Sequence, residues 1–204
     1  MKKNKEKGIL IVISGFSGAG KGTVIRELIK DTRYAFSISA TTRQPRVGEE
    51  EGVHYFFLTR EKFTEMIGKN EFLEWAEFCN NYYGTPKKYV ENQLLQGKDV
   101  ILEIEVQGAL QVKEIFPECV LIFITPPTLK ELQHRLESRG TEEISVVQQR
   151  LCRAREELTY MQDYDYIVIN DILEDTIEII ENIVVAEHCK MSRKGYIIEK
   201  LKGE

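Results

Sequence analysis

The chain has 204 residues, of which 42% are hydrophobic and 30% charged, and its formal net charge at pH 7 is −5. This length can bury one substantial core, and no apolar run approaches the ~20 residues that a membrane-spanning helix needs. The acidic balance argues against a general nucleic-acid-binding surface, which requires a basic face. We therefore expect a single domain over residues 1–204 that binds neither membranes nor nucleic acid.

The first apolar run, Ile9–Ile13, predicts a buried strand, and the sequence GFSGAGKGT follows it at residues 15–23. Lys21–Lys30 then predicts a helix. A strand, a glycine-rich turn and a helix start in this order are the context of a phosphate-binding P-loop. The apolar run is therefore interpreted as the first strand and not as a signal peptide. Glycines let several backbone N–H groups point at an anion, and the helix dipole adds positive charge there.

This stretch predicts a nucleoside triphosphate site in which the Lys21 ammonium meets the β- and γ-phosphates. The full pattern has Ser or Thr directly after the lysine, whereas here Gly22 intervenes before Thr23. The Thr23 hydroxyl is therefore displaced by one residue, and we expect Mg²⁺ to be held partly through water. The expected ATP-binding residues of the loop are Gly15, Ser17, Gly18, Ala19, Gly20, Lys21, Gly22 and Thr23.

Further along the chain, short apolar runs alternate with helical stretches. The remaining strands are predicted at Asp99–Val106, Val120–Thr125 and Tyr166–Asn170, and the remaining helices at Pro86–Gln96, Gly108–Phe116, Thr128–Ser138, Glu142–Met161 and Leu173–Cys189. Apolar strands separated by helices indicate an α/β fold with a parallel sheet covered on both faces. Ligands of such sheets bind at the carboxyl ends of the strands.

Two segments depart from this alternation. Residues 34–89 are rich in aromatics and turns, and their strand-like runs are Phe36–Ala40, His54–Leu58 and Glu71–Phe78. We interpret them as a small inserted mixed-sheet subdomain. Residues 126–161 are strongly polar, with arginines on two helical stretches, and are interpreted as a mobile lid. The core then comprises about 1–33, 90–125 and 162–204, and the tail after residue 194 is ambiguous.

The inserted segment holds two candidate ligand-binding features. Arg43 and Arg46 flank a turn that Pro45 stiffens, and an arginine fork matches phosphate oxygens; a solvated turn is the alternative. Glu74 lies in an apolar, aromatic run, and a buried carboxylate needs hydrogen-bond donors. The ring N–H and exocyclic amine of guanine would supply them, whereas an outward-facing strand glutamate would need none. The residues alone leave both alternatives open.

A family resemblance favours the ligand-binding alternatives. The P-loop, SATTRQPRVGE, EFLEWAEF, the NYYGTP turn, ILEIEVQGA, the Arg139-Gly140 pair and YDYIVIND occur in the order and spacing found in guanylate kinases. The resemblance runs from about Ile9 to Cys189. It implies the P-loop nucleoside-monophosphate kinase fold, in which a parallel sheet flanked by helices carries a small mixed-sheet GMP-binding insertion and a helical lid.

The resemblance also implies an activity and a set of site residues. The expected reaction transfers the γ-phosphoryl group of ATP to GMP, and also to dGMP, with Mg²⁺ as cofactor, in purine nucleotide metabolism. Asn170 would lie near the adenine of ATP, and Glu103 would join Thr23 in holding Mg²⁺ through water. The implied catalytic residues are Lys21, Arg135, Arg139 and Arg150. The implied GMP-binding residues are Ser39, Arg43, Arg46, Tyr55, Glu74, Tyr83, Thr85 and Glu105.

The chain departs from the family pattern at three positions. The family commonly has aspartate where Glu105 and His54 stand, and proline where Phe16 stands. Glu103 and Glu105 are two apart on the predicted strand and should face the same side. The additional methylene of Glu105 is expected to shift a contact to the guanine amine or to metal-bound water. Phe16 is expected to change only the stiffness of the loop, and His54 to be peripheral.

The cysteines and histidines indicate no metal or redox site. The four cysteines, at 79, 119, 152 and 189, form no C-x-x-C pair, and His54, His134 and His188 lack ligand spacing. We therefore expect neither zinc nor disulfides, and a reducing cytoplasm as the location. The oligomeric state is not determined by the sequence.

Two alternative functions belong to other classes. A guanylate-kinase-like scaffold domain would bind proteins rather than catalyse, although such domains typically lack an intact phosphate loop. A P-loop kinase for AMP or a sugar phosphate would share the Gly-Lys-Gly-Thr sequence, although Glu74 and NYYGT argue against AMP.

Overall fold

The computed structural model describes residues 6–138 and 144–203. Nine strands are assigned in these ranges: β1 Leu10–Gly15, β2 Tyr34–Phe36, β3 Ala40–Thr41, β4 Phe56–Phe57, β5 Phe72–Phe78, β6 Asn81–Pro86, β7 Asp99–Glu103, β8 Val120–Thr125 and β9 Tyr166–Ile169. Nine α-helices accompany them there: α1 Lys21–Leu28, α2 Arg60–Gly68, α3 Lys87–Leu95, α4 Val106–Ile115, α5 Leu129–Ser138, α6 Ile144–Glu157, α7 Leu173–His188, α8 Met191–Lys194 and α9 Tyr196–Lys202.

The large sheet has the strand order β2-β7-β1-β8-β9, and all of its pairings are parallel. Its central strand, β1, is fully buried from Leu10 to Ile13, as are the neighbouring residues Ile101 and Ile122. Such complete burial explains why these strands are continuous apolar runs rather than alternating ones. The predicted α/β fold with a parallel core is therefore confirmed, and the P-loop lies at the carboxyl end of its central strand.

A second, smaller sheet has the order β4-β3-β6-β5. The β3–β4 pairing is parallel, whereas β3–β6 and β5–β6 are antiparallel, so this sheet is mixed as predicted. Its own small core contains Ala40, Phe63 and Phe72, with the Phe63 and Phe72 rings stacked at 4.3 Å between centroids. Phe63 belongs to α2, a helix that was not predicted from the sequence. The helix begins after Thr59, and the Thr59 side chain accepts a hydrogen bond from Lys62 N.

Three predicted boundaries were wrong in informative ways. The run Phe36–Ala40 is divided: Tyr34–Phe36 pairs with β7 in the large sheet, and only Ala40–Thr41 joins the second sheet. The NYYGTP segment is not a turn but the strand β6, which β5 reaches through a turn at Cys79 and Asn80, both with positive φ.

The predicted strand Asp99–Val106 is too long at its carboxyl end. The strand β7 ends at Glu103, and α4 begins at Val106 with Glu105 as the residue before it. Glu105 is therefore not a strand residue, and strand alternation does not relate it to Glu103. Four strand residues, Asp99 to Leu102, are buried. Apolar residues continue in the sequence from this strand into the buried face of α4, so the hydrophobic pattern does not show where the strand ends.

The segment predicted to be a lid contains α5 and α6, and a 3₁₀ helix at Leu158–Asp163 follows them. Part of the predicted helix Glu142–Met161, its first two residues, lies outside the described residues. The ambiguous tail is helical in α9, and Lys194 and Tyr196 bind the carboxylate of Glu6 near the start of β1. None of the helices described is both long enough and apolar enough to cross a membrane.

Candidate active site

The P-loop is shaped by glycines with positive φ. Gly15, Gly18 and Gly20 have φ values of 146°, 95° and 92°, a region that side-chain-bearing residues rarely adopt. A Cβ on Gly15 would lie 2.0 Å from the backbone oxygen of Ile124. The loop is therefore packed directly on β8, and α1 begins immediately after it at Lys21. A glycine-rich turn at a helix N-terminus is a general anion-binding arrangement.

Phe16 fixes the base of this loop. Its ring is 1% exposed and meets Phe123 of β8 edge-to-face, with 5.0 Å between ring centroids. Phe16 was expected to change only the stiffness of the loop, and its packing against Phe123 was not predicted. Because the ring is part of the main core, the residue anchors the P-loop to the sheet.

Lys21 and Thr23 have defined partners at the mouth of the loop. The Lys21 Nζ donates to the carbonyl oxygens of Gly15 at 2.7 Å and Phe16 at 3.1 Å. The Thr23 hydroxyl accepts a hydrogen bond from Arg26 at 3.2 Å. The ammonium thus lies over the loop, at the position where the P-loop pattern requires a cation.

Asn170 ties the end of β9 to the P-loop. Its buried Nδ2 donates to the carbonyl oxygen of Ala19 at 2.7 Å, and its Oδ1 accepts from the Thr176 hydroxyl at 3.1 Å. Asn170 was predicted to lie near the adenine of ATP, and this stays a prediction. In the structure both polar ends of its side chain also form hydrogen bonds within the protein, and the bond to Ala19 holds the loop.

A cleft of about 580 Å³ opens beside the P-loop. Ser17 and Lys21 line one side, and Ser39 and Tyr55, from the segments that flank the second sheet, line another. The structure therefore brings the predicted triphosphate site and three of the predicted GMP-binding residues, Ser39, Tyr55 and Glu105, to a single cavity.

Helix α6 supplies a third wall of this cleft. Arg150 donates to the Ser17 hydroxyl at 2.6 Å, so it reaches from the lid segment to the P-loop. From α5, Arg135 donates to Glu131 at 2.7 Å and to the carbonyl oxygen of Asn170 at 2.9 Å. The predicted residue Arg139 lies outside the described residues. Two of the three predicted lid arginines are thus placed at the P-loop and its support.

Arg43, Tyr55 and Tyr83 form one cluster on the second-sheet side. The Arg43 guanidinium lies 5.5 Å from the Tyr55 ring centroid, and the Tyr55 and Tyr83 centroids are 6.2 Å apart. Arg43 also pairs with Glu49 at 2.8 Å, and the backbone N–H of Arg46 donates to the other oxygen of Glu49. Glu49 therefore holds the Arg43 side chain and the Arg46 backbone, while the side chain of Arg46 is exposed.

Glu74 and Thr85 face each other on the adjacent strands β5 and β6. The Thr85 hydroxyl, which is fully buried, donates to Glu74 Oε1 at 2.6 Å. Burial raises the pKa of the Glu74 carboxyl, although the hydrogen bonds from Thr85 oppose this shift. The other oxygen, Oε2, lies beside Gly108 of α4, where a Cβ would come within 3.4 Å of it. The alternative of an outward-facing Glu74 is therefore wrong.

The residues around Thr23 can contribute a few of the ligands of a divalent cation whose other ligands are phosphate oxygens and water. A second cavity of about 330 Å³ is lined by Thr23 and Glu103, together with P-loop residues. No group of three or more His, Cys, Asp or Glu residues that could hold a metal occurs in the ranges described. Mg²⁺ commonly binds through one or two carboxylates plus phosphates and water, so the donors present fit a metal that arrives with a nucleotide.

Three further cleft residues were missed by the sequence analysis. The buried Ser37 hydroxyl lines the cleft and has no hydrogen-bond partner among the described residues. Arg153 and Glu157 also line it, three and seven residues after Arg150 on α6. Helical spacing could have identified these last two, since such positions share a helix face. The burial of Ser37 depends on tertiary contacts and leaves no signal in the sequence.

Comparisons with known proteins agree on one family. A family model described as guanylate kinase matches residues 7–187. A guanylate kinase of Bacillus cereus is 58% identical over 200 residues, covering 97% of this chain and 98% of that protein. A guanylate kinase of Desulfitobacterium hafniense is 52% identical over 193 residues, with coverages of 94% and 96%. The crystal structure of guanylate kinase from Anaplasma phagocytophilum has a TM-score of 0.71 and 35% identity, covering 93% of this chain and 90% of that one.

Proposed function

The chain belongs to the guanylate kinase family, and we propose that it transfers the γ-phosphoryl group of ATP to GMP, giving ADP and GDP. The observation that carries the proposal is the single cleft in which the P-loop lysine, Lys21, faces Ser39 and Tyr55 from the second-sheet side. In such a cleft a donor phosphate on the loop and an acceptor phosphate opposite it would meet directly. Proximity of this kind is a major part of the rate enhancement in phosphoryl transfer.

On the donor side, the P-loop would hold the triphosphate. The glycine-shaped backbone would surround the phosphates, and Lys21 would move from the Gly15 and Phe16 carbonyls, which it contacts at 2.7 and 3.1 Å, to the γ-phosphate. Thr23 and Glu103 are the residues that would hold Mg²⁺, in part through water. When bound with ATP, Mg²⁺ supplies positive charge that offsets the charge of the phosphates.

On the acceptor side, the Arg43 cluster would hold the phosphate of GMP. The Arg43–Glu49 pair is preformed at 2.8 Å, so the guanidinium is already oriented when a phosphate arrives. Arg46, Tyr55 and Tyr83 would complete this contact. Arginine forks suit phosphate oxygens because two N–H groups can bind at once.

Glu74 would read the guanine edge. Its Oε1 already accepts from Thr85 at 2.6 Å, and its second oxygen lies beside Gly108. The ring N–H and exocyclic amine of guanine are two adjacent donors, and adenine has no such pair on its corresponding edge. Ser39 and Glu105 would complete the base contacts, and Thr85 would orient the carboxylate.

The lid arginines would neutralise charge during transfer. The attacking group is a phosphate oxygen, so the reaction needs no strong general base, and the main barrier is repulsion between two polyanions. Arg150 already contacts the P-loop at Ser17, and Arg135 lies beside the loop's support at Asn170. Closure of α5 and α6 over both substrates would also exclude water and limit ATP hydrolysis, and Arg139, which follows α5 in the sequence, would act with these arginines.

The expected location is the cytoplasm, as a reducing compartment. All four cysteines are free thiols, and Cys79, Cys152 and Cys189 are exposed. Proteins with free exposed thiols are typical of compartments that keep cysteine reduced.

The test is the release of ADP with ATP and Mg²⁺, in parallel reactions with GMP, dGMP, AMP and no acceptor. ADP production that depends on GMP is the expected result. Equal production without an acceptor would mean a simple ATPase, and preference for AMP would mean that the acceptor site is misassigned. Binding of ATP without any turnover would favour the protein-binding alternative.

A further inference from the structure

The lid helix α6 is connected to the opposite wall of the cleft by an ion pair. Arg153 donates to Glu105 Oε2 at 2.6 Å, across 48 positions of sequence. Resting on the proposed function, we propose that Arg153 is a positioning residue that couples the lid to the acceptor nucleotide through Glu105. Arg153 itself would contact neither substrate.

The placement of the two residues supports this role. Glu105 immediately precedes α4, at the end of the connection from β7, and its backbone is extended with φ −72° and ψ 163°. Both side chains line the same cleft as Lys21. Arg153 lies three residues after Arg150, which contacts the P-loop at Ser17. One face of α6 therefore contacts the donor side through Arg150 and the acceptor side through Arg153.

The guanidinium of Arg153 is oriented from its own helix. Its Nε donates to Glu157 at 3.2 Å, and Glu157 is only 16% exposed. Burial raises the pKa of the Glu157 carboxyl, whereas Arg153 and Lys21 oppose the shift. Glu157 holds Nε of the guanidinium, and the terminal nitrogen Nη2 donates to Glu105. The pair engages Oε2 of Glu105, and Oε1 is the oxygen we assign to the amine of the acceptor base.

The exposure of the pair suits a contact that forms and breaks in each turnover. The Glu105 and Arg153 side chains are 75% and 56% exposed, and exposed ion pairs typically contribute little, about 0–1 kcal/mol. Such a pair cannot lock the lid. It can, however, bias the lid toward the wall that holds the acceptor, and linkage then requires the acceptor to be bound more tightly when the lid is closed.

The length of the Glu105 side chain determines whether its carboxylate reaches Arg153. An aspartate at this position would withdraw its carboxylate by one methylene, about 1.5 Å. A contact at 2.6 Å would then be lost unless the helices moved. Glu105→Asp therefore tests reach without changing charge, whereas Glu105→Gln tests charge at nearly constant length.

The experiment compares Arg153→Gln with Arg155→Gln, a matched variant that removes the same charge from an exposed α6 position outside the cleft. For each protein, KM and kcat for GMP are measured, together with the factor by which a non-hydrolysable ATP analogue tightens GMP binding in calorimetry. We expect Arg153→Gln to raise KM for GMP by about 2- to 5-fold, the equivalent of an exposed pair, with kcat nearly unchanged and the tightening factor reduced. Arg155→Gln should match the unmodified protein.

Two further measurements make the outcome specific to the pair. Adding Arg153→Gln to Glu105→Gln should produce no further loss, because the partner is already absent. Glu105→Asp should reproduce the reduced tightening factor. Additive losses, or identical behaviour of the Arg153 and Arg155 variants, would overturn the inference while leaving the kinase activity established. Absence of GMP-dependent turnover in the unmodified protein would instead overturn the proposed function, and this inference with it.

Discussion

Individual side chains decide the chemistry of the cleft, and Lys21 is the first of them. Its ammonium contacts the carbonyls of Gly15 and Phe16 and would be the cation nearest the transferring phosphate. We expect Lys21→Ala to reduce kcat by at least ~10²-fold, the typical effect of removing one preorganised donor at a site of developing charge. The measurement is steady-state ADP release, with the melting temperature as a check on folding. Turnover within a fewfold of normal would contradict the role of Lys21.

If Glu74 binds guanine as proposed, it should make the acceptor site sensitive to pH. Its carboxyl pKa is raised by burial, so the proton is retained to a higher pH than on an ordinary glutamate. The charged form would accept hydrogen bonds from guanine, whereas protonation would turn one of the two accepting oxygens into a donor. We expect kcat/KM for GMP to fall as pH is lowered through this raised pKa.

Glu74→Gln is the corresponding variant. It should lack this acidic limb of the pH profile and should discriminate less between GMP and AMP, because one acceptor oxygen becomes a donor. The sign for folding is opposite to that for binding. A raised pKa contributes stability that is present below the pKa of the unfolded chain, about 4.3, and is lost as pH rises through the folded value. An unchanged pH profile in the variant would contradict the assignment of Glu74 to guanine.

At the scale of elements, the P-loop depends on the neighbouring strand β9. Asn170 is 7% exposed and joins Ala19 of the loop to Thr176 of α7. Asn170→Ala would leave the Ala19 carbonyl and the Thr176 hydroxyl without this partner. We expect the free energy of unfolding to fall by about 1–3 kcal/mol and KM for ATP to rise more than KM for GMP.

Chemical denaturation and steady-state kinetics measure these two effects. Asn182→Ala, at an exposed position of α7, is the matched control and should change neither quantity. If the Asn170 variant loses affinity for GMP alone, the loop is not the element that Asn170 supports.

At the scale of the whole molecule, the parallel core carries two attachments, the second sheet and the α5–α6 segment, on either side of one cleft. The exposed cysteines Cys79 and Cys152 lie on these two parts, and Cys189 lies on the core. Fluorophores on Cys79 and Cys152 of a Cys189→Ser protein would therefore report the width of the cleft. We expect GMP and a non-hydrolysable ATP analogue together to increase energy transfer more than either alone.

The control uses a Cys79→Ser protein labelled at Cys152 and Cys189, which reports the lid against the core. Lid closure should change energy transfer in both proteins. If energy transfer changes only in the protein labelled at Cys79 and Cys152, the second sheet moves rather than the lid. If it changes in neither protein with both nucleotides bound, the lid does not close. Saturation with GMP or with the non-hydrolysable ATP analogue should also stabilise the fold, by about 2.7 kcal/mol for a ligand at 100 times its Kd.

Much of the fold followed from local patterns. The fully buried strands β1 and β8 appear in the sequence as continuous apolar runs, and Gly15, Gly18 and Gly20 mark backbone conformations that few other residues adopt. Predicted boundaries of strands and helices were wrong where the hydrophobic pattern fits more than one element. The apolar letters of β7 continue into the buried face of α4, so Glu105 was assigned to a strand. Similarly, α2 was not predicted, because it is short and lies between two strand-like runs of the sequence.

The sequence by itself determined the family, the alternation of strands and helices in the parallel core, the phosphate loop and the identities of the charged residues, because each of these is encoded in nearby residues or in characteristic motifs. Tertiary structure alone decided which of those residues meet. It turned Glu74 toward Thr85, fastened Asn170 to the P-loop, left the Ser37 hydroxyl in the cleft wall and brought Arg153 to Glu105. Contacts between residues 11 to 151 positions apart depend on how the sheets and helices pack, and no local pattern specifies them.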